Sequence, residues 1–328
     1  MGKIRRIGVF TSGGDSPGMN AAIRAVVRTG LHHGLEVMGI MRGYQGMIED
    51  DIIPLPTSAV SNIVQRGGTI LKSARSKEFM TAEGRQKAYN NLQKNKIDAV
   101  VAIGGDGTFK GALEFTNQYQ DIQMIGLPGT IDNDLYGTDF CIGYDTAINT
   151  AMEAIDKIRD TAASHDRLFF VEVMGRDAGF IALRSGLGGG AEAVLVPEYE
   201  TDIDALIAKL DKGKHGKKTS SIVVVAEGDD AGGAFEIAAL VKQKLDYYDI
   251  KITVLGHVQR GGNPTCMDRV LASRLGAAAV KALLEGQNRV MAGVIHKDVV
   301  FTPFEKAVKH HVEMNMDLLN LVDILSHS

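Results

Sequence analysis

Short runs of β-branched and apolar residues alternate with amphipathic stretches along the whole chain, and this alternation limits the possible folds more than any other feature. Ile7 to Phe10, Glu36 to Met41, Ala99 to Ile103, Met124 to Leu127 and Leu168 to Val173 read as strands. So do Ala193 to Val196, Ile222 to Ala226, Ile252 to Leu255 and Val290 to Ile295. Between them, Asn20 to Gly30, Thr81 to Asn95, Tyr144 to Thr161, Phe235 to Tyr248 and Asp268 to Glu285 carry helical patterns. Strands alternating with helices of this length build βαβ units and parallel sheets, with right-handed crossovers that place helices on both faces. At 328 residues the chain has length for two cores. A boundary is expected near Cys141 to Asp145. The lysine-rich segment Asp211 to Ser220 is expected to be an exposed loop between a helix and a strand.

Charge and cysteine usage exclude several classes. The net charge of −4 leaves no global basic footprint for nucleic acid. Cys141 and Cys266 lie far apart without a metal or redox spacing, so reduced thiols of a cytosolic protein are expected. The apolar run after Arg5 and Arg6 ends at Thr11, too short for a signal segment. Arg6 breaks the myristoylation pattern that Gly2 would begin. No apolar stretch approaches the ~18 residues that span a bilayer.

Ligands of open α/β sheets bind just beyond the C-terminal ends of strands, and three Gly- or Asp-rich turns follow strands here. Thr11-Ser12-Gly13-Gly14-Asp15-Ser16-Pro17-Gly18 fits neither a Walker A loop nor GxGxxG. Its glycines let backbone N–H groups approach an anion, or it is a plain connection in which Asp15 and Ser16 cap a helix. Gly104-Gly105-Asp106-Gly107-Thr108 leaves room for phosphates, with Asp106 able to hold Mg²⁺; otherwise it is a capped turn. Pro128-Gly129-Thr130-Ile131-Asp132-Asn133-Asp134 offers an aspartate base, or an Asx turn. Two acidic turns at neighbouring strand ends are the components of phosphoryl transfer: a cation, a phosphate donor and a hydroxyl to be activated. Cations are scattered: Arg75, Arg167, Arg176, His257 and Arg260 each flank a strand or a turn and suit phosphate or sugar-hydroxyl recognition.

The segments TSGGDSPGMNAAIR, LKSAR, IGGDGT, GLPGTIDND, VEVMGR and VLGHVQRGGNP, in that order, resemble the bacterial ATP-dependent 6-phosphofructokinases. The resemblance runs from residue 7 to about residue 276. It implies two doubly wound, Rossmann-like α/β domains with mainly parallel sheets and the active site between them. Residues 1–141 with 259–310 would form the larger ATP-binding domain, and 142–258 with 311–328 the smaller fructose-6-phosphate-binding domain. Gly14, Arg75, Ser76, Gly105, Asp106, Gly107 and Thr108 match ATP positions, with Asp106 on Mg²⁺. Asp132 matches the base. Thr130, Met174, Gly175, Arg176, Glu227, His257 and Arg260 match positions that hold the sugar phosphate or the moving phosphoryl. Arg167 and Lys251 match a pair reaching in from a neighbouring subunit, the second being Arg in relatives; lysine keeps the charge and loses the bidentate fork. A cytoplasmic homotetramer with shared sites is implied, acting on ATP and fructose 6-phosphate, with neither nucleic acid nor membrane as partner.

Two alternatives stand beside this resemblance. Relatives that use pyrophosphate carry Asp and Lys at the positions of Gly107 and Gly129, so the glycines here favour ATP. A catalytically silent sensor of nucleotide or sugar phosphate would have no need of the base at Asp132. For an effector site, Arg24, Arg28, Arg159, Glu192, Lys217 and Lys218 match family positions, whereas Thr57 and Asn62 replace Arg and Asp. A weak or altered response to nucleoside diphosphate or phosphoenolpyruvate is the expectation.

Overall fold

The computed structural model describes residues 4–165, 167–215, 221–308 and 313–326. In chain order it begins β1 (Arg6–Thr11), α1 (Met19–His32), β2 (Glu36–Ile40), α2 (Tyr44–Glu49), β3 (Ile52–Pro54) and α3 (Ala82–Lys94). It continues β4 (Ala99–Gly104), α4 (Asp106–Gln118), β5 (Gln123–Pro128), α5 (Tyr144–Ala163), β6 (Leu168–Val173) and α6 (Phe180–Gly188). Then come β7 (Ala193–Leu195), α7 (Ile203–His215), β8 (Ser221–Ala226), α8 (Ala234–Lys244) and β9 (Ile250–Val254). The last elements are α9 (Cys266–Leu284), β10 (Val290–Ile295), β11 (Asp298–Pro303), α10 (Phe304–Ala307) and α11 (Met316–Ser326). The chain divides into two compact units: Met1–Thr146 with Arg260–Val312, and Ala147–Gln259 with Glu313–Ser328.

The first unit is built on a seven-stranded sheet of order β11-β10-β5-β4-β1-β2-β3. Its five inner strands run parallel, and β3 and β11 close the two edges antiparallel. The central strands β1, β4 and β5 are largely apolar because both faces are covered. Alternate residues serve opposite faces. Ile7, Val9, Val101, Ile103, Ile125 and Leu127 join one cluster, which holds the buried faces of α1 and α9. Phe10, Val100, Ala102 and Met124 join the other, with Ala88 and Leu92 of α3 and Phe109 and Phe115 of α4. Each fully buried side chain of this kind contributes about 1.5–3 kcal/mol. Helices α1 and α9 meet closely where Gly276 faces Ala22 and Ala25; a Cβ at 276 would stand 2.7 Å from that of Ala25.

The second unit carries a four-stranded, fully parallel sheet of order β7-β8-β6-β9. Leu168, Phe170, Val223 and Val225 pack one face against Leu206 and Leu210 of α7 and Ile237 and Val241 of α8. Helix α11 lies against α6 and β7.

Several local expectations need correction. Helix α7 continues to His215, so Asp211 to His215 is helical rather than loop, and residues 216–220 lie outside the described residues. Helix α8 stops at Lys244, because Lys242 Nζ donates to the carbonyls of Asp246 (2.6 Å) and Tyr248 (2.7 Å) and ties down a non-helical turn. Strand β9 starts earlier, at Ile250. The edge strands β3 and β11 carried no expectation. The latter returns from β10 through His296 and Lys297, with His296 left-handed at φ 57°, a two-residue turn without the usual glycine or asparagine.

Candidate active site

Strands β5, β4 and β1 lie side by side, so their C-terminal loops emerge together at one end of the first unit's sheet. Backbone bonds continue past the strands. Ser12 N–H donates to the Ile103 carbonyl (2.9 Å) and Gly129 N–H to the Gly104 carbonyl (3.0 Å). At Gly104 a side chain has no room: its Cβ would lie 2.3 Å from Thr108 Oγ1 and 2.6 Å from the Ser12 carbonyl oxygen. The two acidic turns come together at Gly105, where a Cβ would sit 3.5 Å from that of Thr130. The segment carrying Arg75 joins the same end, because the Ser73 hydroxyl donates to the Gly13 carbonyl (2.5 Å) and Thr11 Oγ1 to the Lys72 carbonyl (2.8 Å). Arg75 is exposed, with no partner among the described residues. Ser76 accepts the Phe79 N–H (3.2 Å). The Arg260 guanidinium lies against Gly14, where a Cβ would be 2.9 Å from its Nη1.

Asp106 opens α4 rather than sitting in a free turn, and Gly105 is its N-cap without a side-chain cap. The uncapped N–H groups and the positive end of the helix dipole suit anionic phosphate. Asp106 Oδ2 accepts from Lys110 Nζ (2.6 Å), which leaves Oδ1 without a partner among the described residues. One such oxygen fits Mg²⁺, which is held by few carboxylates and completes its shell with water and substrate phosphates. Groups of three or more His, Cys, Asp or Glu suited to a metal are absent among the described residues. The Thr108 hydroxyl is buried without a hydrogen-bond partner among the described residues, beside Gly13 and Gly104. Tyr44, whose buried hydroxyl is pushed far up by desolvation, donates to the Thr108 carbonyl at 2.6 Å and fixes this turn from below. In the first loop, neither Asp15 nor Ser16 caps α1: Gly18 takes the N-cap at φ 111° with no side-chain cap.

Thr130 Oγ1 accepts the Asp132 N–H at 3.2 Å, so a hydroxyl turn presents the proposed base. Asn133 holds the loop from behind. It takes the left-handed conformation at φ 56°, accepts the Cys141 N–H (2.7 Å) and donates to the Asp139 carbonyl (3.1 Å). Cys141 is buried, its thiol pushed well up by desolvation and by Asp134, so it is no nucleophile.

In the second unit, Met174-Gly175-Arg176 follows β6. Gln259, fully buried, accepts the Met174 N–H at 2.8 Å, and Glu227 after β8 accepts the Arg176 N–H at 2.7 Å. Arg176 itself is left-handed at φ 55°, a conformation that costs a non-glycine residue about 1–3 kcal/mol and persists where the surroundings enforce it. Gly228 is part of that enforcement, since a Cβ there would stand 2.1 Å from the Arg176 carbonyl. The Arg176 side chain is exposed, with Asp177 3.4 Å from its Nε. His257 is exposed in the turn after β9. Met174, Gly175, Arg176, Glu227 and His257 therefore share the C-terminal end of this sheet.

Arg167 and Lys251 do not join them. Arg167 precedes β6, and Lys251 pairs with Phe169 near the start of that strand. At about 3.3 Å per residue, β6 separates the two groups by ~20 Å. Both cations engage Asp249, through Arg167 Nε (2.8 Å) and Lys251 Nζ (2.8 Å). Of the effector candidates, Arg24 and Arg28 stand one turn apart on α1, partly buried and exposed respectively. Arg159 donates to the carbonyls of Gly189 and, at 2.7 Å, Gly190, closing the end of α6. Glu192 is partly buried just before β7, and Asn62 is left-handed at φ 56°. Thr57 opens a short 3-10 turn, and Lys217 and Lys218 lie outside the described residues.

Asn133, Gln259, Tyr44 and Asp249 carried no role in the sequence. Only Asp249, an acidic residue two positions from Lys251, had a readable signal.

A family model described as phosphofructokinase matches residues 6–283. A protein named ATP-dependent 6-phosphofructokinase 2 from Bacteroides thetaiotaomicron is 56% identical over 326 residues, covering 99% of this chain and all of its own. ATP-dependent 6-phosphofructokinase 1 of Thermus thermophilus is 57% identical over 323 residues, covering 98% of this chain and 100% of its own. The phosphofructokinase structure from Saccharomyces cerevisiae superposes with a TM-score of 0.87 at 36% identity over 93% of this chain, which spans 45% of the yeast chain. A pyrophosphate-dependent phosphofructokinase from Marinobacter aquaeolei, at 22% identity over 99% of this chain and 92% of its own and a TM-score of 0.85, shares the fold. The chain belongs to the phosphofructokinase family.

Proposed function

We propose that the chain transfers the γ-phosphoryl group of ATP to the 1-hydroxyl of D-fructose 6-phosphate, giving fructose 1,6-bisphosphate and ADP in glycolysis. The observation that carries this is the convergence of the Gly13-Gly14 loop, the Asp106 turn and the Asp132 turn at one end of β1, β4 and β5. Relatives at 56–57% identity bear the name of this ATP-dependent activity. The glycine-rich loop and the first turn of α4 receive the ATP phosphates on backbone N–H groups. Asp106, through Oδ1, would hold Mg²⁺, which supplies charge neutralisation on the phosphates when bound. Asp132 accepts the proton of the sugar hydroxyl, at the end of a strand that keeps it in place. Arg75 and Arg176 offset charge on the phosphoryl in transit, and Thr130 orients the base loop. Met174, Gly175, Glu227, His257 and Arg260 hold the sugar phosphate.

Arg167 and Lys251 sit at the far end of their sheet, tied there by Asp249. One hexose phosphate does not bridge ~20 Å. These two residues therefore complete a site belonging to a neighbouring subunit, and the working form is an oligomer, a tetramer in our reading, in the cytoplasm. No helix among the described residues is long and apolar enough to cross a membrane.

A coupled assay of fructose 1,6-bisphosphate formation, with ATP or pyrophosphate as donor, tests this reading. Turnover with ATP and none above background with pyrophosphate is the expected outcome. Equal or better use of pyrophosphate, or no product with either, overturns it.

A further inference from the structure

We propose that Asp249 is a positioning residue for the sugar phosphate: its single carboxylate holds the Arg167 guanidinium and the Lys251 ammonium side by side as one clamp. The proposal rests on the assignment of those two cations to the sugar phosphate made above.

Strand pairing creates the arrangement. Leu168 pairs with Ile250, which sets Arg167 opposite Asp249 across the β6–β9 ladder. The Leu168 N–H also donates to the Asp249 carbonyl (3.3 Å), so the backbone of Asp249 is itself anchored. Asp249 immediately precedes β9 and lies two residues from Lys251, so in extended chain the two share a face. All three side chains therefore project from the same side of the sheet, within cross-strand reach.

How the carboxylate is used decides its role. Oδ2 takes the Nε edge of the guanidinium at 2.8 Å, and Oδ1 takes the ammonium at 2.8 Å. Of the roughly eight N–H donors on the two cations, only two are consumed. The Nη edge of Arg167, the one suited to a bidentate phosphate, has no partner among the described residues. Two neighbouring cations on long, partly exposed side chains would otherwise repel and disperse. With one anion between them they are held at fixed spacing, and the trio keeps a net positive charge for an incoming phosphate. Both cations hold the Asp249 carboxyl below the usual carboxylate range, Lys251 more than Arg167, so it stays ionised at neutral pH.

The test compares Asp249→Asn and Asp249→Glu with Arg167→Ala and Lys251→Ala in the full-length protein, by steady-state kinetics and thermal unfolding. We expect Asp249→Asn to raise the half-saturating fructose 6-phosphate concentration by about two- to fivefold, the scale of an exposed ion pair. Turnover at saturation, KM for ATP and the melting midpoint should stay put, and Asp249→Glu should recover part of the loss. If Arg167→Ala and Lys251→Ala raise the half-saturation point while Asp249→Asn leaves it unchanged, the positioning role is wrong. If Asp249→Asn lowers it, Asp249 competes with the phosphate and the proposal is likewise overturned. If Arg167→Ala and Lys251→Ala have no effect, the underlying assignment of the site fails first.

Discussion

Gly107 stands in the first turn of α4, where glycine is about 1 kcal/mol worse than alanine, yet nothing in the protein requires it. A Cβ there would meet no atom within 4 Å, and its backbone is not left-handed. Gly107 is exposed, so this space opens to solvent, and it is the space the proposed ATP phosphates would take. Gly107→Asp should therefore leave the melting midpoint unchanged and raise KM for ATP, because a carboxylate in that space repels phosphate. An unchanged KM and turnover would show that the nucleotide lies elsewhere. Asp132→Ser is its counterpart: turnover should fall by about 10²–10⁴ while ATP binding, read by titration, stays near normal. At this scale the sequence was informative where the chemistry needs a residue type. Carboxylates after apolar runs marked Asp106 and Asp132 as candidates, and the structure brings their turns together beyond β4 and β5. It was silent where a residue acts through the backbone of another. Asn133 and Gln259 hold loops with buried amides, and a buried amide has no spacing rule that marks it.

Helix α5 shows the same contrast between elements. Its periodicity made Tyr144 to Thr161 legible, but what anchors its start comes from α9. Asp268 accepts the N–H groups of Gly143 and Thr146 at 2.8 Å each, and the Thr146 hydroxyl at 2.5 Å. Thr265 returns the bond, its hydroxyl donating to Asp145 at 2.6 Å. Burial raises the Asp268 carboxyl above its ordinary range despite these donors. The folded chain therefore holds the Asp268 proton more tightly than the unfolded chain. The stability it contributes is fully present below the ordinary aspartate range and falls as pH rises to the raised native value; above that the profile is flat. Asp268→Asn should abolish this slope. It should also destabilise by about 1–3 kcal/mol at neutral pH, because the amide brings donors to a site already full of donors. Urea unfolding across acid to neutral pH checks both, and a variant with wild-type slope and midpoint would refute the assignment. Central strands β1, β4 and β5 were readable because both faces are buried. The edges β3 and β11 were not, since an edge strand needs no continuous apolar run and the β10–β11 turn lacks glycine.

For the molecule as a whole, the α/β class and parallel sheets followed from the alternation of elements, whereas the arrangement of the candidate site did not. By residue type alone Arg167, Arg176 and His257 looked alike, and only the family resemblance set Arg167 apart with Lys251. The parallel pairing of β6 with β9 places the two groups at opposite ends of one sheet. That separation is the physical basis for our proposal that two copies of the chain complete one site. It makes a sharp demand on mixed oligomers. Arg167→Ala subunits keep their own base and sugar contacts but give a neighbour no phosphate clamp; Asp132→Ser subunits give the clamp but lack a base. Random pairing of the two leaves about a quarter of the sites intact, with the base from one subunit and the clamp from the other. The decisive measurement is fructose 1,6-bisphosphate formation from ATP at limiting fructose 6-phosphate, for each variant alone and for oligomers reassembled from an equal mixture. Activity in the mixture clearly above the average of the two separate variants is the predicted result. Activity no greater than that average, in oligomers shown to be mixed, would contradict a phosphoryl-transfer site shared between subunits.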